Sequence, residues 1–178
     1  MRVSTHILIQ YRWLLLWSFL ILLFGCSTTR RIKINQSTEI YKTLGLKMER
    51  KDNEALFREA AWWLHVPHVD GGTTHDGTDC SYLVYFLYKT VYHKIIERNS
   101  ASILHKNCIR IGRLRLKEGD LVFFNTMGRS ISNPDINHVG IYLKDNKFLH
   151  TSTSKGVIVS DLDEKYYRKV WVCGGRVK

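Results

Sequence analysis

The side chains with the greatest chemical reach in this sequence are one thiol, Cys80, and two imidazoles, His138 and His150. A cysteine, a base that takes its proton and a third group that holds the base in one tautomer are the minimal set for acyl transfer through a thioester. Cys80 follows the stretch Gly71-Gly72-Thr73-Thr74-His75-Asp76-Gly77-Thr78-Asp79, and Ser81 leads into the apolar run Tyr82 to Tyr88. Glycine, aspartate and threonine predict a loop, whereas Leu83, Val84, Phe86 and Leu87 predict a buried helix. Cys80 therefore stands at a helix start, where unpaired N–H groups and the positive dipole end favour a thiolate and predict a lowered pKa. Asp79 is placed to cap that helix. The bland alternative is a buried, inert cysteine.

Both histidines belong to one expected hairpin. His138 to Leu143 and Phe148 to Thr151 flank the turn sequence Lys144-Asp145-Asn146-Lys147. A two-residue turn at Asp145-Asn146 pairs 144 with 147 and, in simple register, 141 with 150, which puts the histidines on opposite faces. If both serve one thiol, the loop must have an odd length or one strand must carry a bulge.

Other elements must bring the loop and the hairpin together. Asp52 or Asn53 can cap a helix in which Phe57, Ala60, Ala61 and Leu64 share one face, with Pro67 beyond its end. Residues 91–117 read as surface loops with a short helix near Ser102 to Lys106. Short strands are expected at Leu121 to Phe124, at the two hairpin arms, at Val157 to Ser160 and at Val170 to Val177. Helices followed by sequential short strands predict an α+β domain with an antiparallel sheet, over residues 52–178.

The N-terminal region has a different character. Trp13 to Phe24 is a twelve-residue run with Ser18 as its only polar member, too short to span a bilayer and suited to the core of an export signal. Its end, Leu22-Leu23-Phe24-Gly25-Cys26-Ser27, resembles a bacterial lipoprotein signal, although Phe24 departs from the usual small residue. That resemblance implies cleavage after residue 25, acylation (palmitate) at Cys26 and a lipid-anchored protein at the envelope, on the periplasmic side of the outer membrane. An uncleaved membrane anchor is the competing reading. Residues 26–51 are polar and basic and read as a tether, with one short ordered piece near Ile40 to Leu46. The formal charge of +11 suits an anionic partner, but the basic residues are scattered without interleaved aromatics, so no nucleic-acid motif is visible.

Taken together, Gly71-Gly72, Asp79-Cys80-Ser81, Arg98-x-Ser100, Gly119 to Phe124, His138 to Leu143, Phe148-Leu149-His150 and Gly156-Val157-Ile158 resemble the NlpC-type cell-wall peptidases in order and spacing, over about residues 54–177. The resemblance implies a papain-like fold with a central antiparallel sheet. It also implies Cys80 as nucleophile, His138 as base, His150 as orienting residue and peptidoglycan stem peptides as substrate, often cut between γ-D-glutamate and a diamino acid. Asp79, Ser81 and Ser152 match positions near the substrate. His68 stands where many relatives carry a tyrosine, Tyr82 where they carry glycine and Ile103 where they often carry glutamine.

Competing readings are a non-catalytic wall-binding module and an amidase or acyltransferase on the same fold. His65, His68, His75 and Cys80 lie close in sequence, but without the paired spacing of a zinc site, so neither metal nor cofactor is expected. Cys108 and Cys173 have the makings of a disulfide in an exported protein, yet the strand around Cys173 reads as core packing.

Overall fold

Short apolar strands whose alternate side chains enter two separate clusters, and two helices with one apolar face each, account for the architecture. The computed structural model describes residues 36–127 and 136–178. The expected export signal and Cys26 lie outside the described residues, among which no helix is long and apolar enough to cross a membrane. In chain order the elements are a helix over 36–43 (α1), α2 (Glu54–Trp63), the two-residue strands β1 (Thr73–Thr74) and β2 (Gly77–Thr78), and α3 (Cys80–Val91). Next come α4 (Ser100–Ser102), which continues as a π-helical turn over Ile103–Asn107, β3 (Cys108–Ile111) and β4 (Leu121–Phe124). The chain ends with β5 (His138–Lys144), β6 (Lys147–Ser152), β7 (Gly156–Asp161), α5 (Lys165–Val170) and β8 (Trp171–Val177).

Six strands form one antiparallel sheet in the order β3-β8-β4-β5-β6-β7. Alternate residues divide between its faces. Leu121, Phe123, Val139, Ile141 and Leu149 pack with Leu56, Phe57 and Trp63 of α2 and Leu83, Val84 and Leu87 of α3 in the main core. Val122, Phe124 and Phe148 face the other way, into a smaller cluster closed by Leu162 and by Tyr167 of α5. β3 was not foreseen, because it is a four-residue edge strand whose Ile109 and Arg110 are exposed. Basic residues on an edge discourage pairing with another chain and also mask the strand pattern.

The compact unit is Ile40–Lys178, so it starts earlier than the expected boundary at 52. Tyr41, Leu44 and Leu46 are buried in the main core, and the Tyr41 ring stacks on Phe57 at 4.5 Å. The expected tether therefore contributes wall to the domain. Lys144 fastens the following segment to the hairpin: its Nζ donates to Lys47 O at 3.0 Å and to Asp52 Oδ2 at 3.0 Å, and pairs with Glu49 at 3.1 Å.

Candidate active site

Each site residue is held by a local device. Asn53, not Asp52, caps α2, its Oδ1 accepting from the Leu56 N–H. The chain then leaves α2 through His65 in a left-handed conformation (φ 66°) and is clipped to β7, with His65 N–H donating to Val157 O and Val157 N–H to Val66 O, both at 2.8 Å. Beyond this clip, Thr78 N–H donates to Pro67 O at 3.0 Å, which sets the loop that delivers α3. Asp79 caps α3, its Oδ1 accepting from the Tyr82 N–H at 2.7 Å and from Ser81 Oγ at 2.7 Å. Ser81 Oγ also reaches Arg98 O at 2.9 Å. Asp79 and Ser81 thus fix the helix start.

Cys80 is the first residue of α3, as expected. Its surroundings are less favourable to a thiolate than the helix dipole alone implied. Burial pushes the Cys80 thiol up, and the Asp79 carboxylate adds to that, while the Val139 N–H and the Ser100 hydroxyl, 3.9 Å from Sγ, pull the other way. The expected lowered pKa is corrected accordingly: desolvation outweighs the hydrogen bonds to the sulfur, which favours a resting thiol.

The hairpin resolves the question of faces by a bulge. Asp145 (φ 51°) and Asn146 (φ 60°) make the two-residue turn, and Lys144 pairs with Lys147. Tyr142 nevertheless pairs with Phe148 and Ile141 with Leu149, leaving Leu143 as the extra residue. Continued by one step, this register sets Gly140 against His150, so His138 and His150 share a face. A side chain at Gly140 would meet Leu149 O at 2.7 Å and His150 Cβ at 3.1 Å, so only glycine lets the arms close here. His138 Nε2 lies 2.9 Å from His150 Nδ1. Burial, reinforced by the nearby His68, holds the His138 pKa down at about 4. Burial followed by His138 outweighs the backbone of Thr151 and keeps that of His150 well below the ordinary imidazole range. Both rings are neutral at physiological pH, and His138 has its Nδ1 free to act as a base if Nε2 carries its proton.

His68 stands close enough to His138 for its charge to be felt there, and its own Nε2 is 3.4 Å from Asp70. Ser152 borders a cleft of about 110 Å³ together with His138, His150, Thr126 and Tyr166. The Tyr82 ring joins Trp63, Tyr85 and Phe86, beneath the Arg98 guanidinium at 4.6 Å. Ile103 is fully buried. The histidines near Cys80 in sequence disperse, His75 lying between Trp62 and Trp63 at 3.8 and 4.0 Å. Among the described residues no three potential ligands converge on a metal position. Cys108 and Cys173 are free, buried thiols, that of Cys108 pushed up to about 12 by burial.

Sequence reasoning missed the contacts that Ser160 and Tyr167 make with His150. Ser160 is one polar residue in a strand, and Tyr167 belongs to α5, a helix too short to announce itself by period.

The sequence matches the NlpC/P60 family over residues 65–176. It is 36% identical to the Haemophilus influenzae "Probable endopeptidase NlpC homolog" over 115 residues, which is 65% of this chain and 57% of that protein. It is 34% identical over 116 residues to the Escherichia coli K12 "Murein DD-endopeptidase MepS/Murein LD-carboxypeptidase", covering 64% of this chain and 57% of that protein. The matched stretches thus span little more than half of these relatives. Among solved structures, a lipoprotein-like NLP/P60 family protein from Staphylococcus aureus Mu50 superposes with a TM-score of 0.60 at 24% identity, over 73% of this chain and 42% of that one. The antiparallel sheet with the Cys80 helix on one face is the papain-like α+β fold of these proteins. On the extent of the sequence match, the chain belongs to the NlpC/P60 family.

Proposed function

We propose that this protein is a cysteine endopeptidase that hydrolyses peptidoglycan stem peptides, at the bond between D-γ-glutamate and the diamino acid. The observation that carries the reading is the 2.9 Å approach of His138 to His150, on a strand whose Val139 N–H is directed at the Cys80 sulfur. In the proposed reaction His138 Nδ1 takes the thiol proton as Sγ attacks the scissile carbonyl carbon, and returns it to the departing amine as the C–N bond breaks. Water, deprotonated by the same nitrogen, then splits the thioester and releases Cys80. His150 accepts the His138 Nε2–H throughout. His68, at the position of a family tyrosine, is suited to donate to the carbonyl oxygen as it gains charge. Ser152, which borders the cleft beside His138 and His150, is the proposed contact for the peptide.

The relatives' names support a murein substrate, and the basic composition suits an anionic polymer. Acylation of Cys26 would hold the enzyme at the periplasmic face of the outer membrane, within reach of the wall. The test is digestion of purified sacculi with the protein and with Cys80→Ala, followed by mass spectrometry of the released fragments. Fragments from the wild type alone, ending in D-γ-glutamate, are expected. Cleavage between two D-residues would move the assignment to the DD bond, and fragments from Cys80→Ala would overturn the mechanism.

A further inference from the structure

The run of contacts from His138 does not end at His150. Its Nδ1 faces His138, and its Nε2 faces two hydroxyls, Ser160 Oγ at 3.1 Å and Tyr167 Oη at 3.0 Å. Ser160 donates to Tyr167 across 3.3 Å. His150, Ser160 and Tyr167 are 2%, 7% and 8% exposed, so little water competes for these bonds. Ring packing fixes the plane of the imidazole: Phe148 stacks on it at 4.9 Å, and Tyr167 meets Phe148 edge-on at 4.9 Å.

We propose that Ser160 and Tyr167 are positioning residues that together accept the Nε2 proton of His150 and so keep its Nδ1 lone pair turned to His138. A neutral His138 can take the thiol proton at Nδ1 only while its own proton is on Nε2. That proton needs a lone pair, which His150 offers at Nδ1 only if its proton is on Nε2 in turn. In a buried position an Nε2–H with no acceptor is costly, and the ring would adopt the other tautomer. The His150 Nδ1–H would then point at His138 and drive the His138 proton to Nδ1, where it blocks the base. Because Ser160 donates to Tyr167, the serine oxygen keeps its lone pairs for the imidazole. Two acceptors on one donor also make the device redundant.

The effect on rate rests on the peptidase reading above, but the tautomer can be measured without it. Nitrogen-15 NMR of the histidine-labelled protein is expected to show His150 protonated at Nε2. Ser160→Ala and Tyr167→Phe should each lower kcat no more than about threefold, because one acceptor remains, whereas the double variant should lose roughly ten- to a hundredfold with KM unchanged. Ser160→Thr in the Tyr167→Phe background should restore the single-variant rate. A wild-type His150 protonated at Nδ1 overturns the proposal whether or not the double variant folds. So does a folded double variant whose kcat stays within threefold of the wild type, or whose loss lies in KM. If wild type and Cys80→Ala are equally inert on sacculi, the peptidase reading fails while the tautomer result stands.

Discussion

At the scale of single residues, the reactive pair rests uncharged. Burial raises the thiol of Cys80 and lowers the imidazole of His138, so both changes favour neutral partners over a thiolate and an imidazolium. In the proposed reaction, such a pair calls for general-base transfer during attack. A pH dependence follows with a definite sign. Only neutral His138 is competent, and its pKa of about 4 replaces the ordinary value near 6.5, so activity should persist on the acid side and fall only as pH drops through about 4. A kcat/KM profile on a soluble stem peptide checks this, and an acid limb near 6.5 would contradict it. The helix position of Cys80 was legible from the glycine-rich loop and the apolar run after it. Its proton affinity was not, because burial of the sulfur depends on how distant parts of the chain fold over it.

At the scale of elements, the β5–β6 hairpin decides whether a site exists. The Asp145-Asn146 turn was readable and a common face for the two histidines was expected, and the two were incompatible without an irregularity. Leu143 supplies it. Gly140 is the other requirement, since the opposing backbone and His150 leave no room for a methyl group. Gly140→Ala should therefore push β6 away and lengthen the imidazole contact, with a stability loss of roughly 1–3 kcal/mol and a larger proportional loss of activity. Chemical denaturation and turnover of the same sample separate the two effects. Periodicity found α2, α3 and the inner strands because each buries a regular face. It missed β3, which is short and exposed, and α5, which spans fewer than two turns.

At the scale of the whole molecule, the sheet has helices α2 and α3 on one face and the smaller Phe124, Phe148 and Tyr167 cluster on the other, and the site lies where α3 meets β5. The segment that reads as a tether closes the main core through Tyr41, Leu44 and Leu46, within the short ordered piece expected near Ile40 to Leu46. Lys144 secures it, with its side chain 11% exposed and that of Asp52 3%. Lys144→Met should leave Asp52 without its cation and cost roughly 2–3 kcal/mol, lowering Tm by roughly 5–10 °C. Adding Asp52→Asn should recover part of that loss in calorimetry, and a Lys144→Met protein as stable as the wild type would show that the segment is held by its apolar contacts alone.

The extra residue at Leu143 has a wider consequence for anyone altering this protein. An even-membered connection plus one surplus position in an arm, and an odd-membered connection with straight arms, are equivalent answers to the same counting problem. Insertions or deletions between His138 and His150 should be tolerated in twos and ruinous in ones, whatever amino acids they bring.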